Sequence, residues 1–215
     1  MAQTQLVVNQ DSPRAASEGS WVNAKGSKRG EVCVVDFYTA MALEGRAFQI
    51  RGGTIATGAT ADLGVVDQLA EMAVEAPGGL SAIPCYLNLS IPTAAGTVNE
   101  AFAKSRPWTV AITGTAQVPL PLRLNGVASR CSGYFAAEGG VDVGANESLT
   151  LDRLHWSFSQ PIAMGAWDGV YEWIPPCPSV VAGHSIFYVQ IGATTTALLY
   201  FCHFDYIELP TINLS

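Results

Sequence analysis

Residues Ser185–Glu208 read SIFYVQIGATTTALLYFCHFDYIE, two strongly alternating apolar runs joined by the turn segment GATTT close to the end of a 215-residue chain. Apolar side chains at every second position mark strands, because successive Cβ atoms point to opposite faces of a sheet. In the second run both phases are apolar, with Tyr200, Cys202, Phe204 and Tyr206 on one face and Leu199, Phe201 and Ile207 on the other. Such a strand packs on a facing sheet with one side and under a helix or a neighbouring subunit with the other. The two runs read as a C-terminal hairpin. Its polar interruption, His203 and Asp205, falls at i and i+2 on one face and is a candidate subunit contact.

The same period recurs along the chain. Cys33, Val35, Phe37, Thr39 and Met41 share one face of a first strand, and Phe48 and Ile50 one face of a second that ends at Gly52-Gly53. Ile83, Cys85, Leu87, Leu89 and Ile91 line a long strand whose other face carries Pro84, Tyr86, Asn88 and Ser90. Further strands are expected at Trp108–Thr113, Tyr134–Phe135 and Val170–Ile174. Pro119 and Pro121 confine Leu120–Leu124 to a sheet edge or a connector, since proline donates no ladder hydrogen bond. From Leu149 to Phe158 the apolar phase slips by one residue, which a β-bulge at Asp152-Arg153 would repair. Asp62–Ala76 is the one expected helix: Val66, Leu69, Ala70 and Ala73 recur at spacings of three and four, Asp62 caps the start, and Pro77-Gly78-Gly79 stops it. About eight strands without βαβ alternation imply an antiparallel all-β sandwich with one short helix in an inter-strand loop.

Composition restricts the function classes. The chain is 49% hydrophobic and 13% charged with a net charge of -7, where ordinary globular domains carry about 25% charged residues. A surface so poor in charge suits burial against other protein, and the negative balance argues against a broad nucleic-acid-binding face. Residues 1–30 are polar and weakly basic: Arg14, Lys25, Lys28 and Arg29 stand against Asp11 and Glu18, a net of +2, which leaves -9 for residues 31–215. The chain therefore divides into an N-terminal arm, 1–30, and a single domain, 31–215. MAQTQLVVNQDSPR lacks the basic start and long apolar run of a signal peptide, and no stretch reaches the length of a membrane span, so synthesis in the cytoplasm is expected. The five cysteines lack CxxC spacing and read as reduced thiols.

No motif supplies chemistry. There is no HExxH, P-loop, GxSxG or HxH, hence no expected catalytic residue, metal ligand or cofactor. Two of Asp36, Glu172, Asp205 and Glu208 could pair as glycosidase carboxylates, but nothing in their spacing selects a pair. Trp167 and Trp173, in a Gly- and Pro-flanked segment, form a candidate sugar-stacking platform. A carbohydrate- or receptor-binding β-sandwich, spike-like or lectin-like, is thus the alternative to an assembling subunit.

The polar leader, the first segment EVCVVDFYTAMA, about eight strands with Pro- and Gly-rich loops, and the closing SIFYVQIGATTTALLYFCHFDYIELP together resemble the single jelly-roll capsid proteins of small icosahedral viruses. The final FDYIELP is similar to the closing strands of plant and picorna-like virus coats. The resemblance spans residues 31 to 210 and is one of pattern. It implies a jelly-roll fold, a structural rather than enzymatic protein, and self-assembly into an icosahedral shell around a genome, with itself and other coat proteins as partners. It places the protein in the virion. Packaged nucleic acid would be touched weakly, through the N-terminal arm, whose four basic residues fall well short of the dense basic arms of many RNA-virus coats.

Overall fold

Asp36 opens the first described element. Its carboxylate accepts hydrogen bonds from the Thr39 backbone N–H (2.9 Å) and Thr39 Oγ1 (2.6 Å), satisfying a donor that the first helical turn leaves free. Helix α1, Phe37–Leu43, follows and ends at Gly45 in the left-handed region (φ +76°). Gly45 N–H donates to Ala42 O and Arg46 N–H to Met41 O, the paired bonds of a Schellman ending. The expected strand Cys33–Met41 is therefore corrected over its second half, where the cap and the helix-forming Ala40 and Ala42 prevail. The computed structural model describes residues 36–54, 58–63, 65, 68–93, 99–107, 112–135, 140–143, 150–160, 169–175, 179–193 and 199–211. The arm 1–30 and Trp167 lie outside these residues.

Among the described residues, the strands of five residues or more are β1 (Ala47–Gly52), β2 (Met72–Ala76), β3 (Leu80–Thr93), β4 (Asn99–Pro107), β5 (Arg153–Gln160), β6 (Gly169–Trp173), β7 (Ser185–Ala193) and β8 (Leu199–Pro210). β1 pairs with β8, β2 with β7, β3 with β6 and β4 with β5, all antiparallel. Each pair joins strands whose positions add to nine, as in one long hairpin folded back along its length. Two further antiparallel pairings, β3 with β8 and β4 with β7, assemble these ribbons into two sheets of order β6-β3-β8-β1 and β5-β4-β7-β2.

Among the described residues the fold is thus mostly β, antiparallel and layered, with one short helix. Strand number and helix position differ from expectation. Each sheet gains short strands to reach seven, and Leu69–Ala70 with Val141–Asp142 makes a separate two-stranded pair. Where described, the span of the helix expected over Asp62–Ala76 holds strands instead, at Asp62–Leu63, Leu69–Ala70 and Met72–Ala76, with Gly64, Val66 and Asp67 outside the described residues; Met72, Val74 and Ala76 enter the inter-sheet core, while Ala73 joins an apolar cluster on the outer face. Pairing on both sides, with β7 and with Ser132–Phe135, overrides the helical spacing of Leu69, Ala70 and Ala73. The runs Ser185–Ala193 and Leu199–Pro210 are not a hairpin either. They lie in opposite sheets and meet through side chains.

That meeting builds the core. Phe187 stacks on Phe204 at 4.4 Å between centroids, Phe204 lies 5.9 Å from Tyr206, and Phe187 lies 6.0 Å from Trp173. Leu87, Leu89, Ile91, Val189 and Ile191 are buried around them. Both sheets also carry an outer cover. Helix α1 lays Met41 over Ala47, Ile83, Ile207 and Leu209, and the Leu69–Ala70 and Val141–Asp142 pair shields Ile186 and Tyr188. The outer phase of β8 is thereby covered within the chain at Ile207 and Leu209, while Leu199 stays 42% exposed.

The segment 115–135 closes one side of the sandwich. Leu120–Pro121 pairs with the outer edge of β1, as its two prolines suggest, whereas Ser132–Phe135 pairs with β2 and Thr115–Gln117 lies beyond it. Gly133 permits the close approach: a Cβ there would sit 2.6 Å from Gln117 O and 3.0 Å from Ile50 Cγ2. On the opposite side β5 and β6, among the described residues, pair on one flank only.

The phase slip in β5 is a bulge, displaced from the expected Asp152-Arg153. Leu154 pairs with Lys104 and Trp156 with Ala103, which leaves His155 as the extra residue. Just before it, Asp152 forms a buried bidentate pair with Arg106, 2.7 Å from Nε to Oδ1 and 3.0 Å from Nη2 to Oδ2.

Candidate functional site

A second bulge shapes the outer face of the β1-containing sheet. Asp205 opposes Tyr86 and Tyr206 opposes Pro84, so Cys85 is left over on β3. The expected single face of Ile83, Cys85, Leu87, Leu89 and Ile91 therefore breaks. Leu87, Leu89 and Ile91 point into the sandwich, whereas Ile83 and Cys85 join the cluster under α1, beside Tyr86. An extra residue in one strand reverses the phase on either side of it.

Cross-strand register then aligns polar groups in two rows. Gln49, Asp205 and Tyr86 occupy one; Arg51, His203, Asn88 and Glu172 occupy the next. Asp205 is 7% exposed and accepts from Gln49 Nε2 (2.8 Å) and from the Tyr38 hydroxyl (3.0 Å), the latter delivered by α1. Tyr86 donates to Glu172 Oε1 at 2.7 Å, and its ring tilts against His203 with centroids 5.3 Å apart. Asn88 Nδ2 donates to the Tyr86 hydroxyl at 3.3 Å.

Titration follows from this packing. Burial first, then the Asp205 charge, raises the Tyr38 phenol, and the Glu172 hydrogen bond raises Tyr86. Burial pushes the Cys85 thiol up to about 12, so the side chain is a neutral thiol rather than a thiolate nucleophile. Both tyrosines stay protonated and donate to carboxylates.

Between α1 and the end of β6 this face opens into a cleft of about 550 Å³. Phe37 and Tyr38 form one wall, Ile174 and Pro175 the other, and Ile83, Cys85, Tyr86, Asp205 and Ile207 the floor. Its size lies within the usual range for small-molecule sites, roughly 300–1,000 Å³.

The sequence candidates fare unevenly here. His203 and Asp205 do share a face, and Asp205 is hydrogen-bonded within its own chain. Trp173 is partly buried, stacked on Phe187 and 6.2 Å from the His155 ring. Of the four carboxylates, Asp36 caps α1. Glu208 Oε2 accepts from Ser129 Oγ (2.7 Å) and Arg130 N–H (2.9 Å), anchoring the 129–131 segment. Asp205 and Glu172 are connected through Tyr86 and its strand neighbours. Sequence reading overlooked Tyr38, Gln49 and Tyr86 as partners of Asp205. The polar phase of β3 was the available signal for Tyr86, but only the three-strand register places it opposite Asp205.

Among the described residues, no group of three His, Cys, Asp or Glu side chains is placed to hold a metal ion, and no helix is long and apolar enough to cross a membrane. Cys85, Cys131 and Cys202 are free thiols. No protein-family model, curated protein or solved structure matches the chain.

Proposed function

We propose that the chain is a jelly-roll shell subunit, a structural capsid protein that assembles with copies of itself around a genome. The observation that supports this reading is the antiparallel pairing of β1 with β8, β2 with β7, β3 with β6 and β4 with β5, the order that a rolled ribbon would give the longer strands of the two large sheets. Double-sheet folds of eight strands built in this way are shared by viral coats, lectins and cupins, so the fold alone selects no function. Surface character favours the coat. Only 13% of residues are charged, and large apolar side chains stand exposed at separate places: Val170 and Leu154 on the half-paired flank, Leu124 and Val127 on the opposite segment. Opposed apolar surfaces on one molecule suit heterologous contacts, which close into rings and shells. In this reading the domain is 31–215, the arm 1–30 faces the interior, and the protein resides in the virion and catalyses nothing.

Sedimentation velocity of the purified chain tests the proposal. Wild type should sediment as large particles, and Val170→Lys with Leu154→Lys should return it to small species without unfolding it. A lone chain at every salt concentration and pH would sink the reading. The binding-module alternative rests on Trp167 and Trp173, and the packing of Trp173 on Phe187 weakens it.

A further inference from the structure

We infer that the cleft between α1 and β6 is a binding site for a small amphiphilic cation, an alkylammonium group carrying an apolar tail. The inference stands whether or not the chain assembles. Its basis is the combination of groups on the walls and floor.

Three aromatic rings border the cleft: Phe37 and Tyr38 from α1, and Tyr86 from β3. The faces of aromatic rings attract cations, most strongly where water is excluded, and carbon-substituted ammonium groups are the usual ligands of such surroundings. Asp205 supplies a carboxylate at the floor. Its two hydrogen-bond donors, Tyr38 and Gln49, are neutral: they orient the carboxylate without cancelling its charge. No basic side chain lines the cleft among the described residues, whereas Asp36 adds a second carboxylate at the rim. An anionic ligand would meet only repulsion, and a neutral one would leave the floor charge uncompensated.

The remaining lining is aliphatic. Ile83, Ile207, Ile174 and Pro175 give the cleft an apolar lining beside the carboxylate, suited to a short hydrocarbon tail. The site also has a constructed character. The bulge at Cys85 turns Cys85 and Tyr86 to the cleft side together, and an uninterrupted strand would send one of them into the core. Cys85, a neutral thiol, contributes a soft apolar surface.

Isothermal titration calorimetry of the full chain with octyltrimethylammonium, octanol and octanoate, all below micelle formation, tests the inference. The ammonium should bind about tenfold more tightly than octanol, and octanoate more weakly than either. Asp205→Asn, which keeps the shape and an acceptor for Tyr38, should abolish the preference while octanol still binds. Phe37→Ala removes a ring that is 54% exposed, so the fold should tolerate it, and the preference should shrink. Equal affinity for octanol and the ammonium overturns the inference, as does no binding by any of the three. If Asp205→Asn does not fold, an ammonium preference unchanged by Phe37→Ala overturns it.

Discussion

The rings of Phe187 and Phe204 lie 4.4 Å apart and within 8° of parallel, although one belongs to β7 and the other to β8 in the facing sheet. This contact replaces backbone pairing between the two C-terminal strands and joins the halves of the sandwich. Truncating either ring to alanine should cost about 3–5 kcal/mol. The double variant should lose less than the sum, because the rings share one contact. Urea unfolding of the four proteins measures both quantities, and strict additivity would show that the rings act separately.

Arg106 and Asp152 should behave as a unit. Their side chains are 4% and 5% exposed, so losing one partner deprives a buried charge of its bidentate counter-charge. Arg106→Met or Asp152→Leu alone should cost about 3–5 kcal/mol, whereas the double variant should recover most of that loss. Chemical denaturation of the three variants checks the pattern; a double variant as unstable as the worse single one would contradict it.

His155 predicts a pH effect. Burial, and secondarily the Arg153 charge, lowers its pKa below the ordinary value of 6.5, and its Nε2 lies 2.7 Å from Ser105 Oγ. The unfolded chain then binds a proton at a higher pH than the folded one. The stability that the neutral ring confers is complete above 6.5 and declines as pH falls through that value toward the lowered folded pKa. Because the ring is only partly buried, the change is modest. His155→Phe should flatten the difference in urea midpoint between neutral and mildly acidic buffer; identical slopes in both proteins would refute the assignment.

Gly133→Ala should destabilise the closed side of the sandwich. The added methyl would sit 2.6 Å from a backbone oxygen, which cannot rotate away as a side chain can. A cost of about 1–3 kcal/mol is expected, with hydrogen exchange accelerating first at 115–117 and 132–135. Exchange unchanged there would mean that the approach is not restrictive.

Much of the fold was legible because alternation survives burial. The phases of β1 and β8, the short strand at Tyr134–Phe135 and the proline-limited edge at Leu120–Pro121 all read correctly. Three failures share one cause, since strand pairing between distant segments leaves little local trace. β4 escaped notice because its inward residues are the small Ala101 and Ala103 while Phe102, Lys104 and Arg106 alternate with them. Met72–Ala76 mimicked a helix until paired on both sides. The two C-terminal runs read as a hairpin because a short connection that joins neighbouring strands can equally carry a chain across to the opposite sheet. The site was least legible: Asp205 was visible, but Tyr38 reaches it across 167 residues of sequence and Gln49 across 156.

The central claim, a self-assembling shell subunit, is tested most directly by electron microscopy of the purified, intact chain. Closed particles of uniform diameter, with the eight-strand sandwich repeated in their walls, are the predicted result. Dispersed single chains with no particles across low and high salt and across pH would contradict it.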